Sequence, residues 1–234
     1  MYKQPATLPD RDDMTVENTI QKTVASIAVL LVGATIGFLL APTMPFVVWG
    51  AAIIGFVLAL VNIFKREPSP ALILAYAGMQ GIFVGGISFI FEAQYSGIIA
   101  QAVIGTFAVV GVTLALFASG KIRASARATK IFLIAMVGYL VFSIVNVILM
   151  WTGVNNDPWG LRGAEIFGIP LGLIIGVLVI LMAAYSLVLD FDAIQQGVRN
   201  RAPKKYGWSG AFGIMVTVIW LYLEILRFLA IARD

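Results

Sequence analysis

Acidic side chains within apolar stretches are the residues of this chain most suited to chemistry. Asp190 and Asp192 lie at the end of one apolar run, and Glu224 and Arg227 lie inside the last one. Ionisable groups are costly in a bilayer, where they commonly mark ion pathways or buried pairs. Carboxylates attract hard cations such as Ca²⁺, and protons compete for the same oxygens. These residues therefore indicate either cation binding or structural ion pairing.

Helical spacing separates the roles of these four residues. Asp190 and Asp192 are two positions apart, which is roughly 200° around a helix, so they cannot share one face. Asp190 lies deeper in its run, and we predict that it is the one facing the other helices. Glu224 and Arg227 are three positions apart and can pair on one face. We predict a structural ion pair, in which loss of one member destabilises the protein more than loss of both.

The amino-acid composition excludes most other kinds of catalytic and metal-binding site. The 234 residues include no histidine and no cysteine. The chain therefore has no disulfide, no thiolate nucleophile, and no histidine ligand for zinc or haem. No convincing pair of serine and lysine lies within an apolar run. We predict that the protein is not an enzyme and has no cofactor other than Ca²⁺ as a bound or transported ion.

The apolar composition places the chain in a membrane. Hydrophobic residues make up 60% of the sequence, whereas soluble domains contain about 45–50%. A run of about 20 apolar residues can cross a bilayer as a helix. Seven runs qualify, at about 23–41, 46–64, 71–91, 97–118, 131–150, 166–189 and 209–230. We predict an all-α polytopic membrane protein, with a disordered cytoplasmic tail over residues 1–22 and a seven-helix transmembrane domain over residues 23–234.

Basic residues predict the orientation of these helices. Lysine and arginine cluster in the tail and in the second, fourth and sixth connections, whereas the fifth has only Arg162 and the first and third have none. Cytoplasmic loops carry an excess of these residues. We predict a plasma-membrane protein with its N-terminus in the cytoplasm and its C-terminus outside. Glu92, at the end of the third run, is then a candidate polar site on the outer side. Because the basic residues lie mostly in short connections, they indicate topology better than they indicate a nucleic-acid partner.

Glycines recur four residues apart in three of the predicted helices. The pairs are Gly33 with Gly37, Gly81 with Gly85, and Gly172 with Gly176. In lipid, small residues at this spacing allow two helix backbones to approach closely. We predict that these pairs serve helix packing.

Several short motifs resemble the transmembrane Bax-inhibitor-motif family, in a bacterial branch. They are the third-helix segment from Gly81 to Gly86, the small residues from Ala102 to Thr106, Asp190 followed by Ile194, and Leu226 with Arg227 near the C-terminus. The resemblance covers nearly the whole chain after residue 22. It implies a bundle in which six helices surround the seventh. It also implies a pH-sensitive calcium leak, gated near paired aspartates on the last two helices.

The functional residues implied by this resemblance are only partly present. Asp190 matches the sixth-helix aspartate, and Arg227 matches the seventh-helix arginine. The second aspartate would lie ten residues before Arg227, where this chain has Thr217. Asp192 or Glu224 could supply a second carboxylate only from another position. Asp190, Asp192 and Thr217 are therefore the candidate pH-sensing and ion site, with Ca²⁺ at Asp190.

Two classes of function follow from these residues. The first is a passive cation leak, in which carboxylates attract the ion and protonation removes the attraction. The second is a non-conducting regulatory membrane protein that binds a membrane protease or another integral partner. In that class the charges only hold the bundle together, and the lipid bilayer is the common partner of both.

Overall fold

A computed structural model describes residues 13–234 of the chain. This part contains seven α-helices that are long and apolar enough to cross a membrane. They are α1 (Val16–Leu40), α2 (Pro45–Phe64), α3 (Pro70–Gln94), α4 (Ile98–Ala118), α5 (Ala126–Trp151), α6 (Leu171–Arg199) and α7 (Gly207–Ile231). The all-α polytopic fold predicted from the seven apolar runs is confirmed.

Helix α1 begins at Val16, inside the segment predicted as a tail. The Thr15 side chain accepts a hydrogen bond from the Asn18 N–H at 3.1 Å and so caps the first turn. Residues 16–22 are therefore helical, which corrects the prediction that they are disordered. Hydropathy missed them because these first turns are polar. Residues 1–12 of the predicted tail lie outside the described part of the chain.

Helix α6 begins and ends later than the predicted run at 166–189. Glu165–Ile166 and Ile169–Pro170 form a two-stranded antiparallel hairpin, and its turn includes Gly168 at φ 76°. Hydropathy assigned these residues to the helix because it does not separate a short apolar strand from a helix. At its other end α6 continues through polar residues to Arg199. A helix can extend beyond the apolar stretch that predicts it.

The described residues form two compact units, and α6 and α7 each contribute to both. The first unit contains α1, α2 and α3, the part of α6 from Asp190 onward, and α7 up to Ile219. The second contains α4, α5, α6 up to Leu189, and α7 from Trp220. Half of the residues in the most apolar stretch of α7 are buried, the largest share among the seven helices.

Each unit has a core of buried apolar side chains. In the first unit the core includes Val48, Ile73, Tyr76, Val84, Ala211 and Met215. In the second it includes Ile98, Phe117, Val179, Leu187, Leu221 and Leu226. Many other large apolar side chains are exposed on the seven helices, as expected for helices whose outer surface contacts lipid.

Glycine pairs bring α1 and α3 together in the first unit. A side chain at Gly37 would collide with the carbonyl group of Ile82, and one at Gly85 would collide with that of Ala34. The other member of each pair is also closely opposed to backbone. The third pair, on α6, faces side chains of α7 in the second unit. The predicted role of all three pairs in helix packing is confirmed.

Candidate ion site and buried charge network

Asp190 contacts the last helix within the first unit. Its side chain is partly buried, and its Oδ2 accepts a hydrogen bond from Thr217 Oγ1 at 2.7 Å. Thr217 is buried in the middle of α7. A short hydroxyl bond of this kind partly replaces the water that a carboxylate loses on burial. The structure thus brings together two of the three residues predicted to form the ion site.

Two glycines of α7 make room for this contact. A Cβ at Gly213 would lie 2.7 Å from Asp190 Oδ1, and one at Gly210 would lie 2.7 Å from Ile194 Cγ1. Because glycine has no Cβ, α6 and α7 can pack closely enough for Thr217 to reach the carboxylate. Neither glycine was predicted from the sequence, although small residues three apart on an apolar helix indicate close packing.

Asp192 has a different environment from Asp190. Its Oδ2 accepts a hydrogen bond from Gln196 Nε2 at 2.6 Å, one turn later on the same helix. Asp190 thus contacts α7, whereas Asp192 is bound by its own helix. The different orientation of the two aspartates that helical spacing predicted is present in the structure, and the part of Asp192 in the ion site stays a prediction.

Glu92 lies in the last turn of α3 and is partly buried. It takes part in an interaction with another residue. Its assignment to a polar site on the outer side of the membrane stays a prediction.

Asp190 and Thr217 together offer a cation one carboxylate and one hydroxyl. One carboxylate and one hydroxyl fall short of the about six to eight oxygens that Ca²⁺ prefers. Within residues 13–234, no group of three or more acidic, histidine or cysteine side chains could hold a metal ion.

A second group of charges surrounds Glu224 in the second unit. Glu224 is 1% exposed. Its Oε1 lies 2.9 Å from Arg162 Nη1, and its Oε2 lies 2.8 Å from Arg227 Nη1. The Tyr139 hydroxyl donates to Oε2 at 3.0 Å. The predicted pair of Glu224 and Arg227 is present, but it belongs to a larger Glu224 network that comprises Glu224, Arg162, Arg227 and Tyr139.

The connection between α5 and α6 carries Arg162 into the Glu224 network. Gly160–Gly163 forms a short 3₁₀ turn, and the Leu161 N–H donates to Asn146 Oδ1 on α5 at 2.6 Å. Gly160 has φ 61°, and a Cβ there would collide with Asn146. The turn thus needs glycine both for its backbone conformation and for space. The anchored turn directs the Arg162 side chain inward, where it is buried.

The sequence offered little sign of this role for Arg162. It was predicted only as the one basic residue of an outer connection, and its partner Glu224 is 62 residues away. Glu224 and Arg227 can neutralise each other within one helix, so nothing in the sequence predicts a third charged residue beside them. The Glu224 network is in fact one positive charge in excess, since it contains two arginines and one glutamate.

A comparison with protein families bears on both groups of residues. The family model described as Bax inhibitor 1 like matches residues 2–234. The chain belongs to the Bax inhibitor 1 like family. The resemblance inferred from the short motifs is therefore confirmed, and with seven apolar helices this family member is a multi-pass membrane protein. A search of curated proteins gives no match.

Within the Bax inhibitor 1 like family, the resemblance implies an aspartate on each of the last two helices. Matching the motifs and counting back from Arg227 predicted these positions at Asp190 and Thr217, and the two residues are hydrogen-bonded. The partner of Asp190 in this contact is therefore a hydroxyl and not a second carboxylate. Asp192 is bound by Gln196 and Glu224 by two arginines.

Proposed function

We propose that this Bax inhibitor 1 like protein is a passive cation leak in which Asp190 lies on the ion path and senses pH. The proposal rests on the partly buried Asp190 carboxylate, which Thr217 holds against α7 at 2.7 Å. Ionisable residues within membrane helices commonly mark ion or proton paths, because their burial in a bilayer costs free energy and they are therefore rare elsewhere. Ca²⁺ is the first candidate for the transported ion, since carboxylate and hydroxyl oxygens suit a hard cation.

Competition between proton and cation at Asp190 would supply the pH dependence. The ionised carboxylate attracts a cation, and protonation removes the attraction. Acidification should therefore weaken cation binding at Asp190 and change the flux. Thr217 is neutral, so it adds none of the like-charge repulsion that couples two carboxylates. We expect a shallower response to pH than a site with two aspartates would give.

Calcium flux into liposomes that contain the purified protein tests this function. Wild-type protein should pass Ca²⁺, with a flux that differs between mildly acidic and mildly alkaline pH. Asp190→Asn should lower the flux about tenfold, the effect of losing roughly 1.4 kcal/mol of attraction. It should also remove the pH dependence, because an amide does not titrate in this range.

Asp192→Asn is the control, because it removes the same charge two residues away. It should leave both the flux and its pH dependence unchanged. The opposite pattern would assign the site to Asp192.

Thr217→Asp extends the same experiment. Two carboxylates in hydrogen-bond range titrate as a coupled pair, so this variant should steepen or shift the pH response. Thr217→Ser keeps the hydroxyl and should behave like wild type. An unchanged pH profile in Thr217→Asp would contradict the match of Thr217 to the second aspartate position.

A non-conducting regulatory protein that binds an integral membrane partner is the second candidate. The Glu224 network favours it, because its charges bind one another inside the second unit instead of facing an ion path. In this case the liposomes should show no flux above the protein-free background at any pH or with any cation. That result would overturn the leak and leave partner binding as the function to test.

We also propose that the N-terminus is cytoplasmic and the C-terminus lies outside the plasma membrane, which the distribution of lysine and arginine supports. The chain has no cysteine, so single engineered cysteines can be labelled without background. Cysteines at the exposed positions Arg66 and Arg201 should react from the cytoplasmic side. Those at Thr43, Asn156 and Arg233 should react from the outside. Cytoplasmic labelling at position 233 would contradict this topology.

A further inference from the structure

Residues that precede α1 cover one end of the first unit. Met14 is 1% exposed although it lies outside any helix. Its N–H donates to the Ala202 carbonyl oxygen at 2.8 Å, in the connection between α6 and α7. Asp13 forms an antiparallel β-bridge with Pro203 in the same connection. Residues 13–15 thus form a short strap across the point where α6 ends and α7 begins.

The Met14 side chain fills an apolar cluster below the ion site. The cluster contains Met14, Ile194, Ala202 and Tyr206, with Val198 and Ile214 packed against it. Ile194 lies one turn after Asp190 on α6, so the two residues share a face of that helix. From Asp190 to Val198 the helix rises roughly 12 Å. The strap therefore lies on the Asp190 side of α6, at the end of the helix.

Two polar side-chain contacts beside the strap lie at the surface. Lys22 Nζ donates to the Lys204 carbonyl oxygen, in an exposed contact. Lys205 Nζ lies 3.1 Å from Glu67 Oε1, and both side chains are more than one-third exposed. Contacts of this kind hold weakly because water competes for the same groups. The strap is therefore attached by its backbone contacts to Ala202 and Pro203 and by the burial of Met14, and we expect loss of that burial to weaken the attachment.

We infer that residues 13–15 are an intramolecular plug that closes the first unit beyond Asp190 and opens when Met14 leaves its cluster. The inference rests on the proposed leak at Asp190, to which it adds a closed state. A mainly apolar constriction stops a hydrated cation, because it offers no replacement for the water that the ion would lose. Release of Met14 would expose the cluster around Ile194, one turn from Asp190 on α6, to solvent.

A thiol-access experiment tests the plug without any ion flux. Ile194→Cys places the only thiol of the chain in the cluster, at a residue that is 6% exposed. Its rate of reaction with a small water-soluble thiol reagent measures solvent access to the cluster. Adding Met14→Asp should raise this rate about tenfold or more, since burial of a methionine side chain favours the closed state by at least about that factor.

Met44→Asp provides the matched control for this experiment. Met44 is an exposed methionine of the first unit, just before α2. The same substitution there should leave the reaction rate of Ile194→Cys unchanged. Equal rates with and without Met14→Asp would overturn the plug, whatever the liposomes show. Thermal unfolding in detergent checks that the Met14→Asp protein is folded.

A reversible cross-link provides a second test that keeps the closed strap intact. Met14→Cys and Ala202→Cys place two cysteines on directly opposed backbone positions, within the range of a disulfide. Oxidation should lower calcium flux to the protein-free background, and reduction should restore it. Equal flux in the two forms would overturn the plug while the leak stands. If no form conducts, Met14→Asp included, the proposed leak fails, and the thiol rates alone decide whether the strap closes the cluster.

Discussion

Glu224→Gln should lower the free energy of unfolding by about 3–5 kcal/mol, the range found when one member of a buried ion pair is removed. Glu224 is 1% exposed and contacts both arginines of its network. Without the carboxylate, the buried Arg162 guanidinium keeps its charge but loses the group that neutralises it. Denaturant or thermal unfolding in detergent measures the loss.

The two arginines of the Glu224 network should differ in effect. The Arg227 side chain is 38% exposed, so water screens its charge, and Arg227→Gln should cost about 1 kcal/mol or less. The Arg162 side chain is only 6% exposed. Arg162→Gln should therefore cost more than Arg227→Gln, but less than Glu224→Gln, because Arg227 still neutralises the carboxylate.

Double variants identify the dominant partner of Glu224. From the sequence we expected the combined loss of Glu224 and Arg227 to be mild, but the structure changes that expectation, because Arg162 would remain buried and uncompensated. Glu224→Gln/Arg162→Gln removes both buried charges and should be milder than Glu224→Gln alone. Recovery in Glu224→Gln/Arg227→Gln, without recovery in the Arg162 double variant, would contradict the assigned network.

Gly85→Ala should destabilise the packing of α1 against α3 severely. The added Cβ would collide with the carbonyl oxygen and carbon of Ala34. These are backbone atoms, so α1 as a whole would have to move away. Overpacking a core costs about 1–3 kcal/mol, and a collision with backbone should reach or exceed the top of that range. The unfolding midpoint in detergent measures the effect.

Gly50→Ala is the matched control for Gly85→Ala. Gly50 also lies within a helix of the first unit, but a Cβ there would meet no atom within 4 Å. Alanine is a better helix former than glycine by about 1 kcal/mol, so this variant should be neutral or stabilising. Equal stability of the two variants would contradict the close approach of α1 and α3.

The sequence by itself determined the number and class of the helices. Bilayer thickness sets the length of an apolar run, and a helix satisfies its own backbone hydrogen bonds in lipid, so seven runs predict seven helices. Relations within one helix also followed from the sequence. Gly81 and Gly85 share a face because they are four apart, whereas Asp190 and Asp192 cannot because they are two apart.

The family resemblance placed Thr217 with Asp190, 27 residues away, in one candidate site, and the structure shows their hydrogen bond. Only the tertiary structure brought Arg162 to Glu224, 62 residues away. Spacing along one helix carries no information about the neighbouring helix, so neither contact follows from periodicity. The turn that buries Arg162 depends on Asn146 of α5 accepting a hydrogen bond. The polar start of α1 was missed for a related reason, since bilayer thickness limits only the apolar part of a helix and polar turns can continue it.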